Sequence, residues 1–196
     1  MTGNSPQVII LNGPPGCGKD TIANRMDGHI PLSFKDELYT CVAKRYRLER
    51  DLVVKLCTDR ETKEEPNVQF LGLTPREALI HVSEDIIKPS LGNSFFGKCV
   101  AANILLHDGA HFGCSAPRFV LSDGGFMTEI APIAKVATVT VIRLHRDGYD
   151  FTNDSRDYLT KASLSYGVSK LEDIWLQDGK IDLAVAVITH ITNTKY

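Results

Sequence analysis

Short apolar runs alternating with amphipathic segments set the rhythm of this chain. Val8-Ile9-Ile10-Leu11 is an unbroken apolar run, as expected of a buried parallel strand. A Gly-rich turn follows, and Thr21-Ile22-Ala23-Asn24-Arg25-Met26 has helical character. Ile30 to Phe34 reads as a second strand, with Pro31 tolerated near its start. Leu38, Val42, Ala43 and Tyr46 recur at helical spacing and predict a helix over 35–48; Leu52 to Cys57 predicts another. Residues 58–70 are polar, contain Lys63-Glu64-Glu65-Pro66, and read as a loop that could act as a flap. Thr74-Pro75-Arg76-Glu77 marks a helix start, with Thr74 as N-cap, Pro75 in the first turn and Glu77 as the capping-box acid. Its apolar positions carry that helix to Pro89.

A helix over 94–106 follows, then a turn over 107–116. Pro117 to Phe126 predicts a third strand ending in an acid, Glu129 to Lys135 a crossover helix, and Ala137 to Ile142 a fourth strand. Ser155 to Leu159 reads as a short helix, and Asp173 to Leu176 as a fifth strand. Residues 177–180 read as a turn, and 181–192 as a closing helix with Leu183, Val187 and Ile191 in register. Five short strands separated by helices predict an α/β three-layer sandwich around a five-stranded, doubly wound parallel sheet. The long helical insertion, about residues 35–108, is placed to form a substrate-binding lobe, and about 143–162 a lid. No repeat, low-complexity tract or linker divides the 196 residues, so one domain is expected.

Composition narrows the class without naming an activity. Hydrophobic content of 43% and charged content of 23% are those of a globular chain. A formal charge of −2 supplies no global basic field for nucleic acid or an anionic membrane. The first residues lack the basic and apolar regions of a signal peptide, and no apolar stretch is long enough to span a membrane. Five scattered cysteines, Cys17, Cys41, Cys57, Cys99 and Cys114, contain no C-x-x-C pair. A reducing cytoplasm is the expected setting. His107 and His111 stand at a spacing that could hold a metal on a helix, but Gly109 and Gly113 favour a turn with incidental histidines.

The informative chemistry lies between the first strand and the first helix. Gly13-Pro14-Pro15-Gly16-Cys17-Gly18-Lys19 fits G-x-x-x-x-G-K in the strand–turn–helix context a P-loop needs. Glycines let backbone N–H groups converge on an anion, and Lys19 adds a movable charge for the outer phosphates of ATP. Cys17 reads as a small neutral filler. The usual hydroxyl after the lysine is replaced by Asp20, with Thr21 one step later. Asp123, at the end of the third strand, faces the crevice where ligands bind in open α/β sheets. It is a candidate to orient Mg²⁺ or contact substrate, with Asp20 or Thr21 as a further metal ligand. Arg143 and Arg146, beyond the fourth strand, are placed to act as lid arginines, and Arg76 has the fork that grips a phosphate. Together these residues describe phosphoryl transfer, which asks for alignment and positive charge rather than covalent help.

In the order of its motifs, nearly the whole chain resembles the phage-type deoxynucleoside monophosphate kinases, within the nucleoside monophosphate kinase-like P-loop group. Gly18-Lys19-Asp20-Thr21 matches that family's loop, so Asp20 is expected there. Ser33-Phe34 leading into the helix that begins at Lys35 resembles its second strand and first substrate helix. Lys63-Glu64-Glu65-Pro66 with Thr74-Pro75-Arg76-Glu77, Gly92 to Phe96, Val120 to Asp123 with Phe126 and Glu129, and Gln177-Asp178-Gly179 resemble its further motifs in order. The resemblance implies transfer of the ATP γ-phosphate to a deoxynucleoside monophosphate, with Mg²⁺, in phage nucleotide metabolism inside a bacterial cytoplasm. It implies that Arg76 holds the acceptor phosphate; Lys35, Asp123 and Lys88 are further candidates for acceptor contact.

One letter departs. The arginine the family places two residues after Asp123 is Gly125 here. Either Lys88, Lys98 or Arg118 substitutes, or the acceptor is bulkier: a modified pyrimidine nucleotide, or a hydroxymethylated base in DNA. A non-catalytic ATP-binding protein is the reading from another class. A small-molecule acceptor is the expected partner, and the sequence leaves a homodimer open.

Overall fold

The computed structural model describes residues 5–59, 61–110, 116–152, 154 and 156–193. The chain divides into two compact units, residues 1–33 with 97–196, and residues 34–96.

The first unit is built on a five-stranded parallel sheet of order β2-β3-β1-β4-β5. Its strands are β1 (Gln7–Asn12), β2 (Ile30–Leu32), β3 (Arg118–Leu121), β4 (Thr138–His145) and β5 (Val168–Trp175). The expected α/β architecture is therefore present, with β1 at the centre. Period-two alternation sends Ile9, Leu11, Val120, Ile142, Leu144 and Ile174 to one face. There they pack with Ile22 of α1 (Lys19–Ala23) and with Ala184 and Ile188 of α8 (Ile181–Asn193). On the other face lies α7 (Met127–Ala134), with Ile130 and Ile133 fully buried.

Several boundaries differ from the sequence reading. β4 runs on through Arg143 and His145, which the sequence placed beyond it. β5 begins at Val168 rather than Asp173. It is an edge strand in which only Val168 and Ile174 are buried, so its polar residues masked its length. Of the short helix expected at 155–159, the described residues 156–159 form no helical turn; the next is 3₁₀, Lys161–Tyr166. In α8 the buried stripe is Ala184 and Ile188, whereas Leu183 and Val187 are exposed. α6 (Phe95–Ala110) continues through His107 and Gly109, where a turn was expected. The His107 ring lies edge-on to Phe119, 5.8 Å between centroids; His111 and Cys114 lie outside the described residues. Cys17, Cys41, Cys57 and Cys99 are thiols.

The second unit is helical. It comprises α2 (Lys35–Tyr46), α3 (Arg50–Thr58), a 3₁₀ turn at Val68–Phe70, α4 (Pro75–Ile80), a π-helical segment (His81–Ile87) and α5 (Lys88–Leu91). The capping box is complete: Glu77 N–H donates to Thr74 Oγ1 at 3.1 Å, and Thr74 N–H to Glu77 Oε2 at 2.8 Å. The helix does not stop at Pro89. Pro89 has no N–H to give, and the wider π turn ends just before it, at Ile87. Tyr46 and Phe70 meet edge-to-face at 5.2 Å. No described helix of either unit is long and apolar enough to cross a membrane.

Candidate functional site

The carboxyl ends of β1 and β3 bring together the residues that carry anion chemistry. After Asn12 the chain makes the turn 13–18, in which Gly16 (φ 77°) and Gly18 (φ 114°) adopt the left-handed conformation closed to most side chains. Gly13 is required for a different reason: a Cβ there would lie 2.8 Å from Leu144 O and 2.9 Å from Cys17 Sγ. Cys17 is fully buried, and that burial raises its pKa, so the thiol is a filler as expected. α1 is only five residues long, so its dipole adds little. Any anion held here would rest on the loop backbone and Lys19 rather than on the helix.

Lys19 is buried and curls back onto the loop, its Nζ donating to the carbonyls of Gly13 and Pro14, each at 2.6 Å. Burial lowers its pKa from the ordinary lysine value. Carboxylates gather one layer away. Ser122 Oγ donates to Asp20 Oδ1 at 2.6 Å, and Ser33 Oγ to Asp123 Oδ2 at 2.6 Å. Asp20, at the start of α1, is thereby tied to the residue beside Asp123. Thr21 is exposed on the same short helix.

The two expected lid arginines occupy different situations. Arg143, inside β4, pairs with Asp173 of β5 and donates to Leu159 O at 3.1 Å. Asp173 also meets His145. Burial acts to raise the Asp173 pKa, but the bonds from Arg143 and His145 outweigh it and hold the carboxyl below its usual value. In this arrangement Nη1 and Nη2 of Arg143 are engaged by Leu159 and Asp173, while its buried Nε–H has no partner among the described residues. Arg146 lies past the strand end. It donates to Asp178 Oδ1 from Nε (2.9 Å) and Nη2 (2.7 Å) and covers the Tyr149 ring at 4.6 Å. A Cβ on Gly16 would touch Tyr149 at 3.1 Å, so this cluster stands beside the loop.

Three residues expected to contact the acceptor lie in the second unit. Arg76 pairs with Glu64 at 3.2 Å, both half-exposed; Lys88 pairs with Glu84 at 2.6 Å; Lys35 is exposed at the start of α2. Pairs of that kind contribute little to stability and exchange readily for a ligand anion. Arg118 cannot substitute at Gly125. It opens β3, in register with Gln7, at the opposite end of the sheet from the loop. Lys98 is exposed on α6.

Two residues of the site escaped the sequence reading. Asn12 is almost fully buried, donates to Asp157 O (3.1 Å) and Gly124 O (3.4 Å), and accepts from Leu159 N–H (2.8 Å). It was legible only as a polar residue closing an apolar strand. The other is Arg156, whose side chain packs on Gly125: a Cβ on that glycine would fall 2.6 Å from Arg156 Cδ and 2.7 Å from Cγ. The room expected at Gly125 for a bulkier acceptor is filled. The only sequence trace was an Asp two residues before the arginine, a spacing that lets Asp154 accept the Arg156 N–H.

No family model and no curated protein matches the chain. Among solved structures, one similar chain is dephospho-CoA kinase from Campylobacter jejuni, at 16% identity and a TM-score of 0.42, covering 95% of this chain and 98% of that one. A likeness that loose says nothing of what this chain acts on.

Proposed function

We propose that the protein is an ATP-dependent phosphotransferase acting on a deoxynucleoside monophosphate. The observation that carries the reading is the loop itself. Left-handed Gly16 and Gly18 precede a buried lysine whose ammonium is held only by the carbonyls of Gly13 and Pro14 among its described oxygen partners. A phosphate is a stronger, charged acceptor than those carbonyls, so the ammonium is poised to transfer its bonds to ATP. In the reaction, an oxygen of the acceptor phosphate attacks the γ-phosphorus. The bond from that phosphorus to the bridging oxygen breaks, and ADP leaves with the electron pair. A phosphate acceptor is already an anion, so no general base is needed.

The donors fit a Mg²⁺ ion carried in with the nucleotide. Among the described residues no group of three or more His, Cys, Asp or Glu could hold a metal. Mg²⁺ commonly takes one or two carboxylates and completes its shell with substrate phosphates and water. Asp20 and Asp123, with Thr21 nearby, would hold it; bound there, it would neutralise charge on the outer phosphates. Arg146 is proposed to reach the phosphates by exchanging the exposed Asp178 for them. Arg76 is proposed for the acceptor phosphate on the strength of the sequence resemblance, with Lys35 and Lys88 as further candidates in the same unit.

The test is to supply γ-labelled ATP and Mg²⁺ with each deoxynucleoside monophosphate, and separately with hydroxymethylated single- and double-stranded DNA. Label on a mononucleotide supports the reading. Label on polymer alone rejects it in favour of a DNA kinase, and ATP binding without acceptor-dependent turnover rejects it in favour of a binding protein.

A further inference from the structure

We propose that Arg156 supplies, from a segment thirty residues downstream, the positive charge that Gly125 lacks, and that its guanidinium grips an oxygen of the phosphoryl group held by Lys19. The catalytic part of this inference rests on the phosphotransfer reading above; the anion-binding part does not.

Three independent observations converge on Arg156. Its side chain lies against Gly125, where an added Cβ would come within 2.6 Å of Cδ, 2.7 Å of Cγ and 3.0 Å of Cβ. Any side chain at 125 would expel it, so the glycine and the arginine are a matched pair. Next, the guanidinium is held in a fixed orientation by Asp154, Nε to Oδ1 at 2.8 Å and Nη2 to Oδ2 at 2.7 Å. That carboxylate is itself 7% exposed and the arginine 20%. The clamp uses two of the five guanidinium N–H donors, one edge of the fork. Finally, the charge acts on the site. The residues next to Gly125 and Arg156 are tied to the strand that launches the loop, Asn12 donating to Gly124 O at 3.4 Å and to Asp157 O at 3.1 Å, and the Arg156 charge, held first by Asp154, also acts on Lys19. Lys19 itself is held by carbonyls, with no carboxylate in hydrogen-bond contact among the described residues. Asp154 and Asp20 partly offset that repulsion at Lys19, and an anion seated between the two cations would gain from both.

A purely structural arginine would fill the space on Gly125 and neutralise Asp154, and nothing more. That alternative is separable. The experiment compares wild type, Arg156→Ala, Arg156→Lys and Lys19→Ala for turnover of ATP with the accepted nucleotide, and for calorimetric binding of inorganic tripolyphosphate. Folding of each is checked by thermal melting. Arg156→Ala is expected to lose at least ~10²-fold in kcat, below the ~10³–10⁵ of arginine fingers because Lys19 remains. Free guanidinium ion at millimolar concentration is expected to restore part of that loss in Arg156→Ala and none in Lys19→Ala. Arg156→Lys keeps the stem over Gly125 and a charge for Asp154 but loses the fork, and is expected to lose roughly tenfold.

A folded Arg156→Ala with wild-type kcat overturns the proposal, as does a loss that guanidinium does not relieve. If Arg156→Ala does not fold, Arg156→Lys decides: unchanged kcat overturns the proposal. If wild type turns over no acceptor, the kinase reading fails by itself and tripolyphosphate binding decides. Weakening of about tenfold in the Arg156 variant supports the anion role; unchanged affinity overturns it.

Discussion

Asn12 accepts the backbone N–H of Leu159 at 2.8 Å across 147 residues of chain. One buried amide thus pins the segment 157–159, and with Gly124 the turn after Asp123, to the strand that launches the phosphate loop. Arg143 reinforces the same segment through Leu159 O. Residues distant in sequence are thus held beside the loop by the hydrogen bonds of Asn12 and Arg143.

Replacing Asn12 by Leu preserves volume but leaves the Leu159 N–H and two carbonyls without their partner. Each orphaned buried group costs about 1–3 kcal/mol, so we expect a loss of roughly 2–5 kcal/mol overall. In a chain of this size that lowers Tm by about 5–15 °C. Thermal melting checks it. A shift below about 2 °C would mean that Asn12 is not the anchor described.

Arg143 and Arg146 are expected to separate experimentally. Arg143→Met breaks a part-buried pair with Asp173 inside the sheet, costing about 2–4 kcal/mol in stability. Arg146→Ala breaks a pair whose carboxylate is 84% exposed and leaves stability nearly unchanged, while lowering kcat/KM for ATP. Denaturant titration beside steady-state kinetics resolves the two; the reverse pattern would exchange their roles.

Acid should act through Asp173. Its pKa is held below the unfolded value, so its contribution is complete above the ordinary aspartate pKa of about 3.9 and fades as pH falls through the depressed native value. The Tm difference between wild type and Asp173→Asn should therefore be widest near neutral pH and shrink below about pH 4. A difference that grows on acidification would contradict this sign.

Gly97 marks where α6 meets α7. A Cβ there would lie 2.1 Å from the carbonyl oxygen of Glu129, a backbone atom that cannot swing away. Gly97→Ala, although favourable for helix propensity, is expected to destabilise by about 2–4 kcal/mol. A stabilised variant in a denaturant melt would show that the helices can part without cost.

The sequence carried the sheet and the loop because both are local. Val8 to Leu11 is apolar without interruption, and Gly13 to Lys19 is a spacing. It did not carry the length of β5, whose Ser169, Lys170 and Glu172 look like a loop until one knows that the strand is an edge. Nor did it carry the α8 stripe, where Leu183 and Val187 share helical spacing with each other yet face outward. Gly125 looked like a loss because its compensation lies at Arg156, and only folding makes the two neighbours. Arg143 reads as lying past β4 because the pairing with Asp173 that extends the strand is long-range.

The central claim is that the loop around Lys19 delivers the ATP γ-phosphate to a nucleotide. Its most direct test is the rate of ADP formation with Mg²⁺ and each deoxynucleoside monophosphate, wild type beside Lys19→Ala. At least one acceptor is expected to raise the wild-type rate with label moving to the nucleotide, and Lys19→Ala to remain folded with that rate lost by about 10³-fold or more. Tight ATP binding by wild type, with no mononucleotide raising ADP formation, would contradict it.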